Sequence, residues 1–142
     1  MNMKVLFLAS AALTRLFNFE PDEVIGRAAW MGRECEGQIM SDGTKFDRYS
    51  SACASWFYPL GTELKVTCLQ TGRSVTVTVR TRGPDWRLVK RENRIIDLSE
   101  WSFSRICKTE LGVTMVSIER VIPVLKPEAR LSGRELGWTA QP

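Results

Sequence analysis

The chain has 142 residues, 44% of them hydrophobic and 25% charged, which excludes disorder and a wholly membrane-embedded protein and leaves room for one domain with short appendages. Histidine is absent, so Ser-His-Asp and Cys-His catalysis and histidine-ligated metal sites are excluded, and acid–base work falls to Asp, Glu, Lys, Tyr or Cys. Twenty Lys and Arg against sixteen Asp and Glu give a net charge of +4, which suits anionic partners without choosing among them.

Lys4 precedes the apolar run Val5–Leu13, and Ala9-Ser10-Ala11 is an A-x-A pattern. Residues 1–22 therefore read as an export signal or a short amphipathic N-terminal segment. No later run approaches the ~20 apolar residues of a membrane span, so stable membrane insertion is not expected. Gly26–Trp30 reads as a first strand, followed by a Gly-rich loop through Gly43. Glu63–Leu69 alternates around Leu64, Val66 and Cys68, and Ser74–Arg80 alternates with Val75, Val77 and Val79 on one face. The Gln70–Arg73 turn between them makes a hairpin. Arg82-Gly83-Pro84 ends the second strand, and the charged stretch Asp85–Arg94 reads as a loop. Ile95-Ile96 is a short strand. Asp97-Leu98-Ser99 opens a helix over Glu100–Lys108, with Ser99 as N-cap and Trp101, Phe103 and Ile106 inward. Gly112 ends that region, Val113–Val121 is the last strand, and residues 126–142 form a tail. Trp30 and Trp101 are assigned to the core.

The cysteines are Cys35, Cys53, Cys68 and Cys107, with no CxxC pair, so no zinc site, metal or cofactor is expected. Their even number and the export-like N-terminus predict at least one disulfide, with three pairings open; four reduced, buried thiols are the alternative. Short strands, Gly/Pro turns and an embedded helix together imply a small closed or nearly closed β-barrel.

Several strings, in order, resemble the rare lipoprotein A (RlpA)-like double-psi β-barrel of peptidoglycan lytic transglycosylases, shared with expansins and one endoglucanase family. They are Gly26–Gly32, Gly43–Asp47, Ala52–Thr62, Leu64–Thr67, Thr71–Val79, Arg82-Gly83-Pro84, Arg94–Ser99 and Val116–Val121. The resemblance implies a mainly β, six-stranded double-psi barrel over residues 24–125 with one or two short helices. It also implies a secreted or periplasmic protein whose partner is cell-wall polysaccharide, above all peptidoglycan. No nucleic-acid motif accompanies the basic stretch Arg80–Arg94, and nucleic acid is not expected as a partner.

In the transglycosylases a histidine lies shortly before the PxGT segment and an aspartate just before RGP; those positions are Ser55 and Thr81 here. Neither is an acid near neutral pH. Asp97 matches the aspartate-leucine-serine segment that, in expansins and the related endoglucanases, puts a carboxylate in the polysaccharide groove. Asp97 is thus the candidate acid, although a carboxylate near a helix start also has a capping role. Hydrolysis usually needs two carboxylates, for which Asp85 and Asp47 are candidate partners. Trp56 and Tyr58 would share a face in an extended chain; with Trp86 and Arg82 they are candidate glycan-binding residues. Three readings remain open: a wall-glycan binder with the transglycosylase positions replaced, a glycan-cleaving enzyme using Asp97 with another carboxylate, and a non-catalytic interaction or inhibitor module.

Overall fold

A computed structural model describes residues 22–123; the expected export segment and the C-terminal tail lie outside the described residues. Six strands form the barrel: β1 (Glu23–Met31), β2 (Ala52–Ala54), β3 (Glu63–Cys68), β4 (Ser74–Thr81), β5 (Arg94–Ser99) and β6 (Val113–Arg120). They close in the order β1-β5-β2-β4-β3-β6, so no strand is left with an unpaired edge. β1–β5 and β2–β4 are parallel, and the other four pairs are antiparallel. This is the mainly β, six-stranded architecture expected.

Two-residue alternation builds the core. Leu64, Val66 and Cys68 of β3, Val77 and Val79 of β4, and Val116 and Ile118 of β6 point inward together with Ile96 and Leu98 of β5. The hairpin between β3 and β4 turns through Gly72, whose φ of 73° favours glycine. A smaller cluster of Met40, Phe46 and Ala52 fastens the loop that follows β1.

Two helices are attached: α1 (Trp86–Glu92) and α2 (Glu100–Ile106). α1 corrects the loop expected over Asp85–Arg94. Asp85 caps it by accepting a hydrogen bond from the Arg87 amide, Asn93 closes it in the left-handed conformation at φ 54°, and Lys90 and Arg91 sit favourably in its last turn. No α1 residue is fully buried, so it carries no apolar stripe for periodicity to detect. α2 starts where expected, with the Ser99 hydroxyl accepting from the Ser102 amide. It ends at Ile106, short of Lys108. Ser102, Phe103 and Ile106 face the core, whereas Trp101 is exposed, contrary to the core assignment. The helical period explains this, because position 101 lies off the 99/102/103/106 face. The three-residue β2 gave no alternation because Ala52, Cys53 and Ala54 are all buried.

All four cysteines are free thiols, and the expected disulfide is not formed. Cys53 lies within β2 between Val79 and Leu98 in register. Cys68 and Cys107 are buried in the same core, and the Cys68 Sγ lies 3.5 Å from the Thr114 hydroxyl. These three pack as small apolar side chains, while Cys35 is partly exposed in the 3-10 turn after β1.

Candidate functional site

In β5 the side chains of Ile95, Ile96, Leu98 and Ser99 are buried and only Arg94 and Asp97 are partly open. Asp97 is flanked in register by Ala54 of β2 and Ala29 of β1, and Ala54 is aligned in turn with Thr81 of β4. Thr81, Ala54, Asp97 and Ala29 thus form a row across four strands in which the carboxylate's neighbours on either side are alanines. Gly83 of the loop after β4 comes close to this row: a Cβ on it would lie 3.1 Å from the Ala54 Cβ and 3.7 Å from the Asp97 Oδ2, so a side chain there would crowd Ala54. Asp97 is a strand residue and not part of the α2 start; the capping is done by Ser99.

Arg94 pairs with Asp97 at 3.2 Å, with side-chain exposures of 18% and 17%. Residues i and i+3 of a regular strand face opposite sides. A bulge resolves this: Arg27 pairs with Arg94, but Ala28 pairs with Ile96, leaving Ile95 as the extra residue that turns Arg94 to the side of Asp97. No periodic signal in the sequence marks such a bulge, so the pairing of Arg94 with Asp97 could not be read from it. Its Nε is buried without a hydrogen-bond partner among the described residues. Burial pushes the Asp97 carboxyl above the usual carboxylate range, against the opposing pull of the Arg94 guanidinium. Burial likewise raises the thiols of Cys35 and Cys53, and the charge of Asp97 adds to both; Glu34 contributes further at Cys35.

Ser55 and Thr81 do come together beside this row. The Ser55 amide donates to the Thr81 carbonyl at 3.1 Å. Ser55 is fully buried, its hydroxyl accepting from the Phe57 amide. The Thr81 hydroxyl lies 3.1 Å from that of Ser41 and accepts from the Ser41 amide. Asp85 and Asp47 are not brought to Asp97 as partners. Asp85 is exposed and caps α1, and the Asp47 carboxylate accepts from the Tyr49 amide.

The aromatic expectations divide. Trp56 (47% exposed) and Trp86 (45% exposed) meet edge-to-face with ring centres 6.2 Å apart. The Trp56 indole donates to the Pro84 carbonyl at 2.7 Å, and the Lys90 ammonium stands 5.8 Å from the Trp86 ring centre. Tyr58, by contrast, is 2% exposed and belongs to the core. The chain bends over 56–58, so the two-residue alternation that would have aligned Tyr58 with Trp56 does not operate. The Arg82 guanidinium donates to the carbonyls of Ser55 and Tyr58 and holds that bend. Among the described residues no three Cys, Asp or Glu side chains converge to hold a metal ion.

The family model described as lytic transglycolase matches residues 23–118. The chain is 34% identical over 101 residues to an endolytic peptidoglycan transglycosylase RlpA of Pseudomonas aeruginosa, covering 71% of this chain and 28% of that protein. It is 37% identical over 102 residues to the same-named protein of Vibrio cholerae, covering 72% and 36%. It thus spans about a third of the length of the relatives it matches. Among solved structures, the Streptomyces papain inhibitor shares the fold with a TM-score of 0.56 at 22% identity, over 73% of this chain and all of that one. A mutant Clavibacter michiganensis expansin in complex with cellohexaose gives 0.53 at 19%, over 74% and 53%.

Proposed function

Since the chain belongs to the lytic transglycolase family of double-psi β-barrels, we propose that it binds cell-wall polysaccharide, the glycan strands of peptidoglycan, at the partly open Asp97 carboxyl. The observation that carries this reading is the Asp97 carboxyl, held partly open in a row of small residues, with the exposed Trp56–Trp86 pair joined to it through the Gly83-Pro84 loop. Flat indole faces hold sugar rings by apolar contact, and a carboxyl group binds hydroxyls. The relatives named as peptidoglycan transglycosylases and the expansin complex with cellohexaose support a polysaccharide partner. The proposal places the protein outside the cytoplasm, where such a polymer is met.

The family reaction is not part of the proposal. Transglycosylation needs a group that protonates the glycosidic oxygen, and the buried hydroxyl of Ser55 and the Ser41-bound hydroxyl of Thr81 are not acids near neutral pH. One observation favours cleavage as a second reading: the raised Asp97 carboxyl retains a proton to higher pH than an ordinary aspartate. Ordinary hydrolysis would require a second carboxylate across the cleft, and among the described residues the charged partner of Asp97 is Arg94.

The test is to incubate the purified protein with peptidoglycan, naked glycan strands and cellulose, measuring retention and products. Retention on wall glycan without abundant new chain ends is expected. Absence of retention on every polymer refutes the binding reading. Abundant anhydro-sugar ends would show transglycosylation, and new reducing ends would show hydrolysis.

A further inference from the structure

A second exposed aromatic cluster lies outside the candidate site as described so far. Tyr49 is 61% and Trp101 38% exposed. The Arg48 guanidinium stacks 4.7 Å from the Tyr49 ring centre, and that of Arg105 lies 5.6 Å from the Trp101 ring centre. The cluster is built rather than loose. The Trp101 amide donates to the Arg48 carbonyl at 3.0 Å, Arg48 pairs with Glu100 at 3.6 Å, and the Ser99 hydroxyl donates to the Ser50 carbonyl. Both rings are thus held open to solvent on a fixed frame.

Strand register relates this cluster to Asp97. β2 and β5 run antiparallel with Ala54 opposite Asp97 and Cys53 opposite Leu98. Trp56 follows Ala54 at one end of this pair. Tyr49, which precedes Ala52, and Trp101, which follows Ser99, lie at the other end. Tyr49 and Trp56 are seven positions apart, a path of at most ~25 Å. Glu36, five residues beyond the end of β1, accepts a hydrogen bond from the Arg48 amide at 2.9 Å, which ties the cluster to the loop that follows β1, the strand whose Ala29 is aligned with Asp97.

We infer that Tyr49 and Trp101 form a distal binding station for a glycan chain that runs along β2–β5, with Trp56–Trp86 at the other end and Asp97 between. The inference rests on the proposed glycan-binding function and adds that the ligand is an extended strand engaged at two separate aromatic stations. Arg48 and Arg105 suit a strand that carries carboxylates.

The experiment measures binding of peptide-free peptidoglycan glycan strands fractionated by length, from the single disaccharide upward. The proteins are the wild type, Trp56→Ala, and Tyr49→Ser combined with Trp101→Gln. Wild-type affinity should rise with strand length. The Tyr49/Trp101 double variant should lose about tenfold on long strands and nothing on the disaccharide, whereas Trp56→Ala should lose on both. The single variants repeat the measurement if the double variant melts early. Unchanged long-strand affinity in the Tyr49 and Trp101 variants, with wild-type binding intact, overturns this inference alone and turns the cluster into a candidate protein contact. Failure of the wild type to bind any strand overturns both readings.

Discussion

Replacing Asp97 by Asn tests which of two opposing terms controls the site. The carboxylate gains from the Arg94 guanidinium at 3.2 Å, an attraction of about 5 kcal/mol at an effective dielectric constant near 20. Against this stands the loss of water around both groups, which costs several kcal/mol per ion when side chains are this deeply covered. The raised Asp97 carboxyl says that burial wins. The sign follows: a carboxyl whose folded-state pKa lies above its unfolded value contributes stability that is fully present below the unfolded pKa. That contribution is lost as pH rises through the folded pKa. Asn mimics the protonated form at every pH. Thermal melts of both proteins should therefore coincide at acid pH, where Asp97 is protonated, and separate as pH rises, with Asp97→Asn the more stable at neutral pH. Each unit of upward displacement is worth about 1.4 kcal/mol, or roughly 6–11 °C in Tm for a barrel of this size. Glycan binding per folded molecule should fall in the same variant. If Asp97→Asn melts below the wild type at neutral pH and matches it in acid, the ion pair dominates burial, and the argument for a proton-holding carboxyl fails.

Arg94→Gln removes the counter-charge and should destabilise the barrel by up to about 3–5 kcal/mol at alkaline pH; denaturant titrations should show the deficit shrinking as pH falls and Asp97 takes up a proton. Gly26→Ala should cost about 1–3 kcal/mol, because the new methyl would meet the Ile95 Cγ2 at 2.7 Å and the Asn93 carbonyl at 2.9 Å; a melting temperature equal to that of the wild type would contradict the close approach of β1 and β5. In thiol titration of the reduced protein, Cys35 should react before unfolding, slowly because its thiol is raised by burial and by Glu34 and Asp97. Cys53, Cys68 and Cys107 should react only with denaturant, and four thiols reacting at one rate in the native protein would refute this burial pattern.

Alternation over Glu63–Leu69 and Ser74–Arg80 was enough to place β3, β4 and their turn, because each strand buries one face and the period of two is written directly in the residues. Ser99 announced α2 for a similarly local reason: a hydroxyl at an N-cap acts within one turn of chain. The family resemblance carried in part by the Arg94–Ser99 string was also legible. Tertiary structure decided the rest. Whether Trp56 or Tyr58 meets solvent depends on a bend held by Arg82 from 24 residues away, and no periodicity spans that distance. The Arg94–Asp97 pair depends on a bulge set by the register of β1 against β5. The Asp97 carboxyl is raised by burial in the assembled barrel, where Ala54 of β2 and Ala29 of β1 flank it in register. Local sequence determines where strands and caps form, since those interactions act between near neighbours. Exposure and ionisation are properties of what distant segments bring together, and only the closed barrel settles them.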